Sequence, residues 1–215
     1  MWSSNPLMYT GRLFLTRTQK RNILIILRAF YKTILFAIIF VLCFHLPNSF
    51  SDFKWGFKTR DQKIREIAEV LGKQPSDLAE VTREELAEVI YEEADRNSQD
   101  PKFILALISI ESSFYNWAVS EKGAKGLMQI MPPTGELLAK KLRIEWSGDR
   151  TLFNPYLNIK MGSYYLAQLI KQFNDPQLAL EAYNYGPDYI QNLKDNKGEI
   201  PVQYYKRFQD VYHNL

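Results

Sequence analysis

The chain has 215 residues, which is long enough for one ordinary domain and an additional segment, and its formal net charge is +3. Residues 1–51 carry six basic and no acidic residues, so the balance beyond position 51 is −3, which excludes a basic surface for nucleic acid. With Cys43 as the only cysteine and His45 and His213 as the only histidines, the sequence also excludes a disulfide framework, a histidine-based metal site and a Ser/His/Asp triad.

Residues 1–51 have the composition of a targeting segment. An apolar stretch at 34–46 follows the basic residues; it is short for a spanning helix but suits the hydrophobic region of a signal peptide, and Ser-Phe-Ser at 49–51 offers a cleavage site. The sequence favours a cleaved signal peptide; because the basic region is long for one, an uncleaved inner-membrane anchor over residues 23–46 is the alternative. Both alternatives predict that the bulk of the chain is exported.

Helical signals follow this segment in chain order. Residues 52–81 indicate a linker with a short helical extension, in which Ile64, Ile67 and Leu71 recur at helical spacing before Gly72. Further signals are a capping box at Thr82 and Glu85, a helix start at Asp100 and Pro101, and apolar periodicity over 157–173 and 178–185. Because no window alternates in the manner of a strand, the sequence predicts an all-α fold with long loops.

Glu111 is the most informative residue of the chain, because it ends the apolar run 104–110. Burial in apolar surroundings disfavours a charged carboxylate and raises its pKa, which is how a glutamate can serve as a general acid near neutral pH. A surface glutamate at a helix end is the plain alternative, and position alone does not decide between them.

Three short segments favour a catalytic role for Glu111 over the surface alternative. They are Glu-Ser-Ser-Phe at 111–114, Gly-Ala-Lys-Gly-Leu-Met-Gln-Ile-Met at 123–131 and Ala-Tyr-Asn-Tyr-Gly at 182–186. In this order they resemble the soluble lytic transglycosylase (SLT) family, whose catalytic domain has a lysozyme-like fold. The resemblance covers roughly Thr82 to Tyr212 and implies a catalytic domain over 82–215.

The resemblance implies roles for individual residues. Glu111 corresponds to the family's single catalytic acid/base, and Ser120 to a cleft serine that contacts the sugar N-acetyl group. The residues implied to line the glycan groove or to face the glutamate are Met128, Gln129, Met131, Tyr183 and Asn184. Methionines fill core gaps as readily as they line grooves, so Met128 and Met131 suit either place.

The sequence departs from the family at one point. Many relatives carry a second glutamate near the end of the domain, where Gln203 stands here. Glycoside hydrolysis normally uses two carboxyl groups, and the motifs offer only Glu111. The other nearby acidic residues lie in no motif and suit solvated loops: Glu121, Glu136, Glu145 and Asp149.

The activity that the resemblance implies is cleavage of the bond between N-acetylmuramic acid and N-acetylglucosamine in peptidoglycan, with a 1,6-anhydro end as product. It further implies glycan strands as the binding partner, a periplasmic or cell-envelope location, and no metal or cofactor. Two alternatives stay open: a lysozyme-type hydrolase, and a glycan-binding scaffold without turnover.

Overall fold

The computed structural model describes residues 21–22, 26–28, 30–38, 58–74 and 82–215. The chain divides into two compact units, Met1–Phe57 and Lys58–Leu215. The described residues of the first unit are helical, and the remainder of the predicted signal or anchor segment lies outside them. None of the helices in the described ranges is both long and apolar enough to cross a membrane.

The second unit is helical, as the sequence predicts. Its described part contains nine helices, which we number α1 (Arg60–Gly72), α2 (Arg83–Arg96), α3 (Pro101–Ser112), α4 (Pro132–Leu142), α5 (Asp149–Phe153), α6 (Pro155–Phe173), α7 (Pro176–Tyr185), α8 (Pro187–Asp195) and α9 (Gln203–Asn214). Between α3 and α4 the loop forms two isolated β-bridges, Val119 to Lys125 and Lys125 to Ile130.

The predicted helix starts are confirmed. Thr82 and Glu85 exchange the two hydrogen bonds of a capping box at the start of α2. Asp100 accepts a hydrogen bond from the backbone N–H of Lys102, with Pro101 at the first helical position of α3. These local signals fix the register of the two helices and hence the position of Glu111 on α3.

α3 is the central helix of the core. Residues 104–108 are all buried, and the helix packs against α1, α2 and α9. On the α9 side, Phe208 packs on Phe103 with ring centroids 4.3 Å apart. The helix ends in two left-handed residues, Ser113 and Phe114, directly after Glu111 and Ser112. The apolar run therefore carries Glu111 to the edge of the core.

The C-terminal half holds helices that the sequence patterns did not indicate. Gly186, with φ at +96°, both ends α7 and precedes α8 as its N-cap residue. α9 follows and packs against both α3 and α7. This contact brings the end of the chain to Glu111.

Candidate active site

A groove of about 620 Å³ opens beside the C-terminal end of α3. Six of the seven residues predicted for the site line it, namely Glu111, Ser120, Gln129, Met131, Tyr183 and Asn184. They come from α3, from the loop between α3 and α4, and from α7. The structure therefore brings the three sequence motifs together around one groove.

The Glu111 carboxyl group is part-buried at this groove. Burial raises its pKa to about 7, and the Tyr204 hydroxyl and the Arg207 guanidinium partly oppose that rise because each favours the carboxylate. The alternative of a solvated surface glutamate is therefore wrong. With a pKa near neutrality, the group can donate a proton and take it back under the same conditions.

Tyr204 is the site residue that the sequence did not predict. Its hydroxyl donates a hydrogen bond to Oε1 of Glu111, and its ring is buried between α9 and the core. Gln203, which we compared with the family's second glutamate, is exposed, and its Oε1 accepts a hydrogen bond from the backbone N–H of Val202. The segment 201–208 thus contacts the Glu111 carboxyl through the phenol of Tyr204, the residue that follows Gln203.

Hydrogen bonds from Asn158 of α6 hold the loop between α3 and α4 in place. This completely buried side chain accepts a hydrogen bond from the Met128 N–H at 2.7 Å and donates to the carbonyls of Lys125 and Leu152 at 3.0 and 2.8 Å. Gly126 has φ at +79°, and a Cβ there would stand 2.3 Å from Nδ2 of Asn158. Only glycine permits this approach of loop to helix.

Two groove residues have their own hydrogen bonds within this loop. Gln129 adopts a left-handed backbone with φ at +47°, and its Nε2 donates to the carbonyls of Gly126 and Ala118 at 2.9 and 3.1 Å. Oγ of Ser120 accepts a hydrogen bond from the N–H of Ala124 at 3.0 Å, which leaves its hydroxyl hydrogen free to donate to a ligand.

Met128 does not line the groove, which corrects our prediction for its side chain. It is completely buried and packs so closely on α6 that a Cβ at Gly162 would meet its Sδ at 2.5 Å. Its backbone is nevertheless part of the site, because its carbonyl accepts a hydrogen bond from the Tyr183 hydroxyl at 2.7 Å. Proximity to the Glu111 carboxyl adds to the burial that raises the pKa of Tyr183.

Comparison with known proteins agrees with the motifs. The family model described as "Transglycosylase SLT domain" matches residues 88–205, more than half of the chain. The chain belongs to the SLT transglycosylase family. The matched range contains Glu111, the groove loop, Tyr183 and Tyr204, so the family match and the groove coincide.

Curated members of the SLT family are similar over part of their length. The putative soluble lytic murein transglycosylase of Haemophilus influenzae is 34% identical over 89 residues, which are 41% of this chain and 15% of that protein. Membrane-bound lytic murein transglycosylase C of Haemophilus ducreyi is 32% identical over 149 residues, which are 64% of this chain and 41% of that protein. The chain therefore spans less than half the length of these relatives.

A solved SLT-family structure supports the fold. The 70 kDa soluble lytic transglycosylase of Escherichia coli matches 71% of this chain and 27% of its own, with a TM-score of 0.50 and 24% identity. At this identity the likeness concerns the fold alone. It confirms the predicted all-α, lysozyme-like fold class.

Proposed function

We propose that this chain is a lytic transglycosylase that cleaves the β-1,4 bond between N-acetylmuramic acid and N-acetylglucosamine in peptidoglycan. The observation that carries this proposal is the part-buried Glu111 carboxyl, with a pKa of about 7, in a groove lined by the family motifs. An ordinary glutamate is only roughly 0.2% protonated at pH 7, whereas Glu111 is about half protonated there. Similar proteins are named lytic murein transglycosylases, which supports peptidoglycan as the substrate.

The proposed reaction uses Glu111 twice. Its proton passes to the bridging oxygen as the bond from that oxygen to C1 of the muramic acid breaks, and the carboxylate then takes the proton of the C6 hydroxyl while the C6 oxygen bonds to C1. No water is consumed, and Glu111 ends in its starting form. The Tyr204 hydroxyl supports the carboxylate between the two steps, because it donates to Oε1.

Ser120, Gln129, Met131, Tyr183 and Asn184 are the proposed substrate-binding residues, since all of them line the groove with Glu111. Positioning by such residues has to supply much of the rate, because a general acid/base step contributes typically 10² to 10⁴-fold. Neither a metal nor a cofactor has a part in this mechanism.

Glu111→Gln tests the proposal directly. The amide keeps the size of the side chain and its acceptor for Tyr204 but cannot donate the proton, so we expect glycan cleavage to fall by at least about 10³-fold. Binding to insoluble peptidoglycan, measured by co-sedimentation, should persist. Cleavage by the folded variant at a rate near the wild-type one would contradict the role of Glu111.

A lysozyme-type hydrolase is the second candidate, because the groove lining contains one further carboxylate, that of Glu121. Glu121 is exposed on the loop, where it is solvated rather than held against a buried partner. We therefore expect Glu121→Gln to retain most of the cleavage activity. A loss as large as that of Glu111→Gln would favour a hydrolase in which Glu121 activates water.

A glycan-binding scaffold without turnover is the third candidate. It predicts co-sedimentation with peptidoglycan and no decrease in the turbidity of a cell-wall suspension. The raised pKa of the part-buried Glu111 argues against it, because a carboxyl group that costs folding stability is hard to explain in a site without chemistry.

We further propose that the chain acts in the periplasm or cell envelope, with residues 1–51 as signal peptide or anchor, 52–81 as linker and extension, and 82–215 as catalytic domain. Attachment to the inner membrane through residues 23–46 is part of this proposal. Sequencing the N-terminus of the mature protein distinguishes the two forms: a start near residue 52 indicates cleavage, and an intact N-terminus in the membrane fraction indicates anchoring.

A further inference from the structure

Glu181 is a buried carboxylate that the proposed mechanism does not use. It lies on α7 next to the Ala-Tyr-Asn motif and is completely buried. Oε1 accepts a hydrogen bond from the backbone N–H of Tyr205 at 2.9 Å, while Oε2 has no hydrogen-bond partner in the described structure. A buried carboxyl with an unpaired oxygen is costly, so packing alone does not explain its presence.

The partner of Glu181 is the first turn of α9. The first N–H groups of a helix have no acceptor within the helix, and the side chain of Val202, the N-cap residue of α9, supplies none. Glu181 supplies the missing acceptor from α7, at the end of α9 where the helix dipole favours negative charge. The backbone N–H groups of Tyr204 and Tyr205 accordingly oppose the rise that burial causes in the pKa of Glu181.

The same turn of α9 carries the phenol that contacts Glu111. Tyr204 is the second residue of α9, and its hydroxyl donates to Oε1 of Glu111. The backbone N–H of its neighbour Tyr205 donates to Glu181 of α7, while the Tyr204 side chain reaches Glu111 of α3. The Glu181 contact and the Tyr204 contact therefore lie on the same turn of α9.

We propose that Glu181 is a positioning residue: by capping α9 from α7, it sets the place where the Tyr204 hydroxyl meets the Glu111 carboxyl. The geometry stands by itself, and its effect on glycan cleavage rests on the proposed function.

The test is a pH titration of the Glu111 carboxyl, monitored by ¹³C NMR of the full chain labelled at glutamate Cδ. The Glu111 resonance is assigned by its absence from the spectrum of Glu111→Gln. The groups that act on this carboxyl are the Tyr204 hydroxyl, the Arg207 guanidinium and the neighbouring Tyr183 phenol. Loss of the Tyr204 contact removes a donor that favours the carboxylate. We therefore expect Glu181→Ala to raise the Glu111 pKa above 7 by about one pH unit, as Tyr204→Phe does.

The sign of this effect separates positioning from direct electrostatics. Loss of a negative charge near Glu111 would lower its pKa, whereas loss of the Tyr204 contact raises it. In the double variant Glu181→Ala/Tyr204→Phe, Glu111 should have the same pKa as in Tyr204→Phe alone, because the two substitutions remove the same interaction. Glu181→Gln keeps an oxygen acceptor for the Tyr205 N–H, so the pKa should rise by less than in Glu181→Ala.

Glu93→Ala is the matched control. Glu93 is also a buried glutamate, on α2, where it pairs with Arg96 at 3.1 Å. Its loss should lower the thermal stability and leave the Glu111 titration at about 7. A stability defect as such would then be excluded as the cause of the shift seen with Glu181→Ala.

Three outcomes would overturn the inference: an unchanged Glu111 titration in folded Glu181→Ala, a downward shift, or a shift that adds to that of Tyr204→Phe. If Glu181→Ala does not fold, Glu181→Asp is titrated instead, because its shorter side chain withdraws the acceptor from the Tyr205 N–H; an unchanged Glu111 titration in that variant would then overturn the inference. Because the titration needs no turnover, absence of glycan cleavage by the wild-type chain would contradict only the proposed function.

Discussion

At the scale of single residues, the pKa of Glu111 results from opposing influences. Burial raises it most, while Tyr204 and Arg207 hold it back. Both of these residues lie on α9, one helical turn apart, so a single helix tunes the acid of α3. The result, a pKa of about 7, is suited to a group that must give and take a proton in one reaction.

The first prediction concerns the pH dependence of glycan cleavage. The proposed reaction begins with protonated Glu111, so kcat/KM should be level below pH 7 and fall about tenfold per pH unit above it. Release of soluble fragments from purified cell wall, measured from pH 5 to 9, checks this. A descending limb near pH 4.5, the ordinary range of a glutamate, would contradict the assignment.

The second prediction concerns stability. The folded-state pKa of Glu111 is raised, so the folded chain binds this proton more tightly than the unfolded chain, and stability is lost as pH rises from about 4.5 to 7. The raised pKa corresponds to a loss of about 3 kcal/mol in the free energy of unfolding at pH 8. Glu111→Gln cannot ionise at this position, so its free energy of unfolding at pH 8 should exceed that of the wild type by about that amount.

Urea unfolding of both proteins at pH 5 and pH 8 tests this, because the difference in the free energy of unfolding should fall to about 1 kcal/mol at the lower pH. Other carboxyl groups titrate alike in the two proteins and cancel in the comparison. A difference of the same size at both values would mean that the glutamine acts through packing and not through ionisation.

At the scale of elements, the groove depends on a loop held by a helix. Asn158 of α6 forms hydrogen bonds with two backbone groups of the loop, the Met128 N–H and the Lys125 carbonyl, and with the Leu152 carbonyl of α5. Tyr183 of α7 donates to a third loop group, the Met128 carbonyl. The loop thereby carries Gln129 and Met131 to the groove on a fixed backbone. Rigid support of this kind is what a site needs when its rate depends on positioning.

The third prediction tests this support with Asn158→Ala. Met128 N–H and the carbonyls of Lys125 and Leu152 would lose their partner in a buried place, at a cost of about 3 kcal/mol in the free energy of unfolding. Glycan cleavage should fall even in the folded fraction, because the loop would lose its fixed conformation.

Asn196→Ala is the control for this prediction. Asn196 is exposed, and its Nδ2 donates only to the carbonyl of Asn192 within the end of α8, so its loss should change stability by less than about 0.5 kcal/mol. Equal effects of the two substitutions in urea unfolding and in cleavage would contradict the account of the loop.

Local signals explain which helices the sequence could predict. Thr82 with Glu85 and Asp100 with Pro101 are start signals complete within a few residues, and the apolar run of α3 follows at once. By contrast, α9 begins without a side-chain cap, and its acceptor comes from Glu181 on another helix. A helix completed by a tertiary contact leaves little trace in its own segment.

The same distinction holds for the site. Glu111, Gln129 and Tyr183 lie in contiguous motifs, so the sequence was sufficient to name them. Tyr204 lies 93 residues from the carboxyl it contacts, and nothing in its own neighbourhood marks it apart from other aromatic residues. An acidic residue in the apolar stretch 178–182 was the available signal for Glu181, but its partner could be known only from the packing of α7 on α9.

At the scale of the whole molecule, α3, α7 and α9 meet around one carboxyl group. α3 supplies the acid, α7 supplies Tyr183 and the cap of α9, and α9 supplies Tyr204 and Arg207. The SLT family match covers nearly all of this arrangement. The arrangement offers one part-buried acid at the groove, which favours nucleophilic attack from within the substrate over a two-carboxyl hydrolysis.

Mass spectrometry of the products released from purified peptidoglycan distinguishes attack by the substrate's own C6 hydroxyl from attack by water. Fragments that end in 1,6-anhydro-N-acetylmuramic acid, smaller by one water than the reducing-end product, are the result we predict. They should be absent with Glu111→Gln. Fragments with ordinary reducing ends, or ends that incorporate ¹⁸O from labelled water, would contradict the account and indicate a hydrolase.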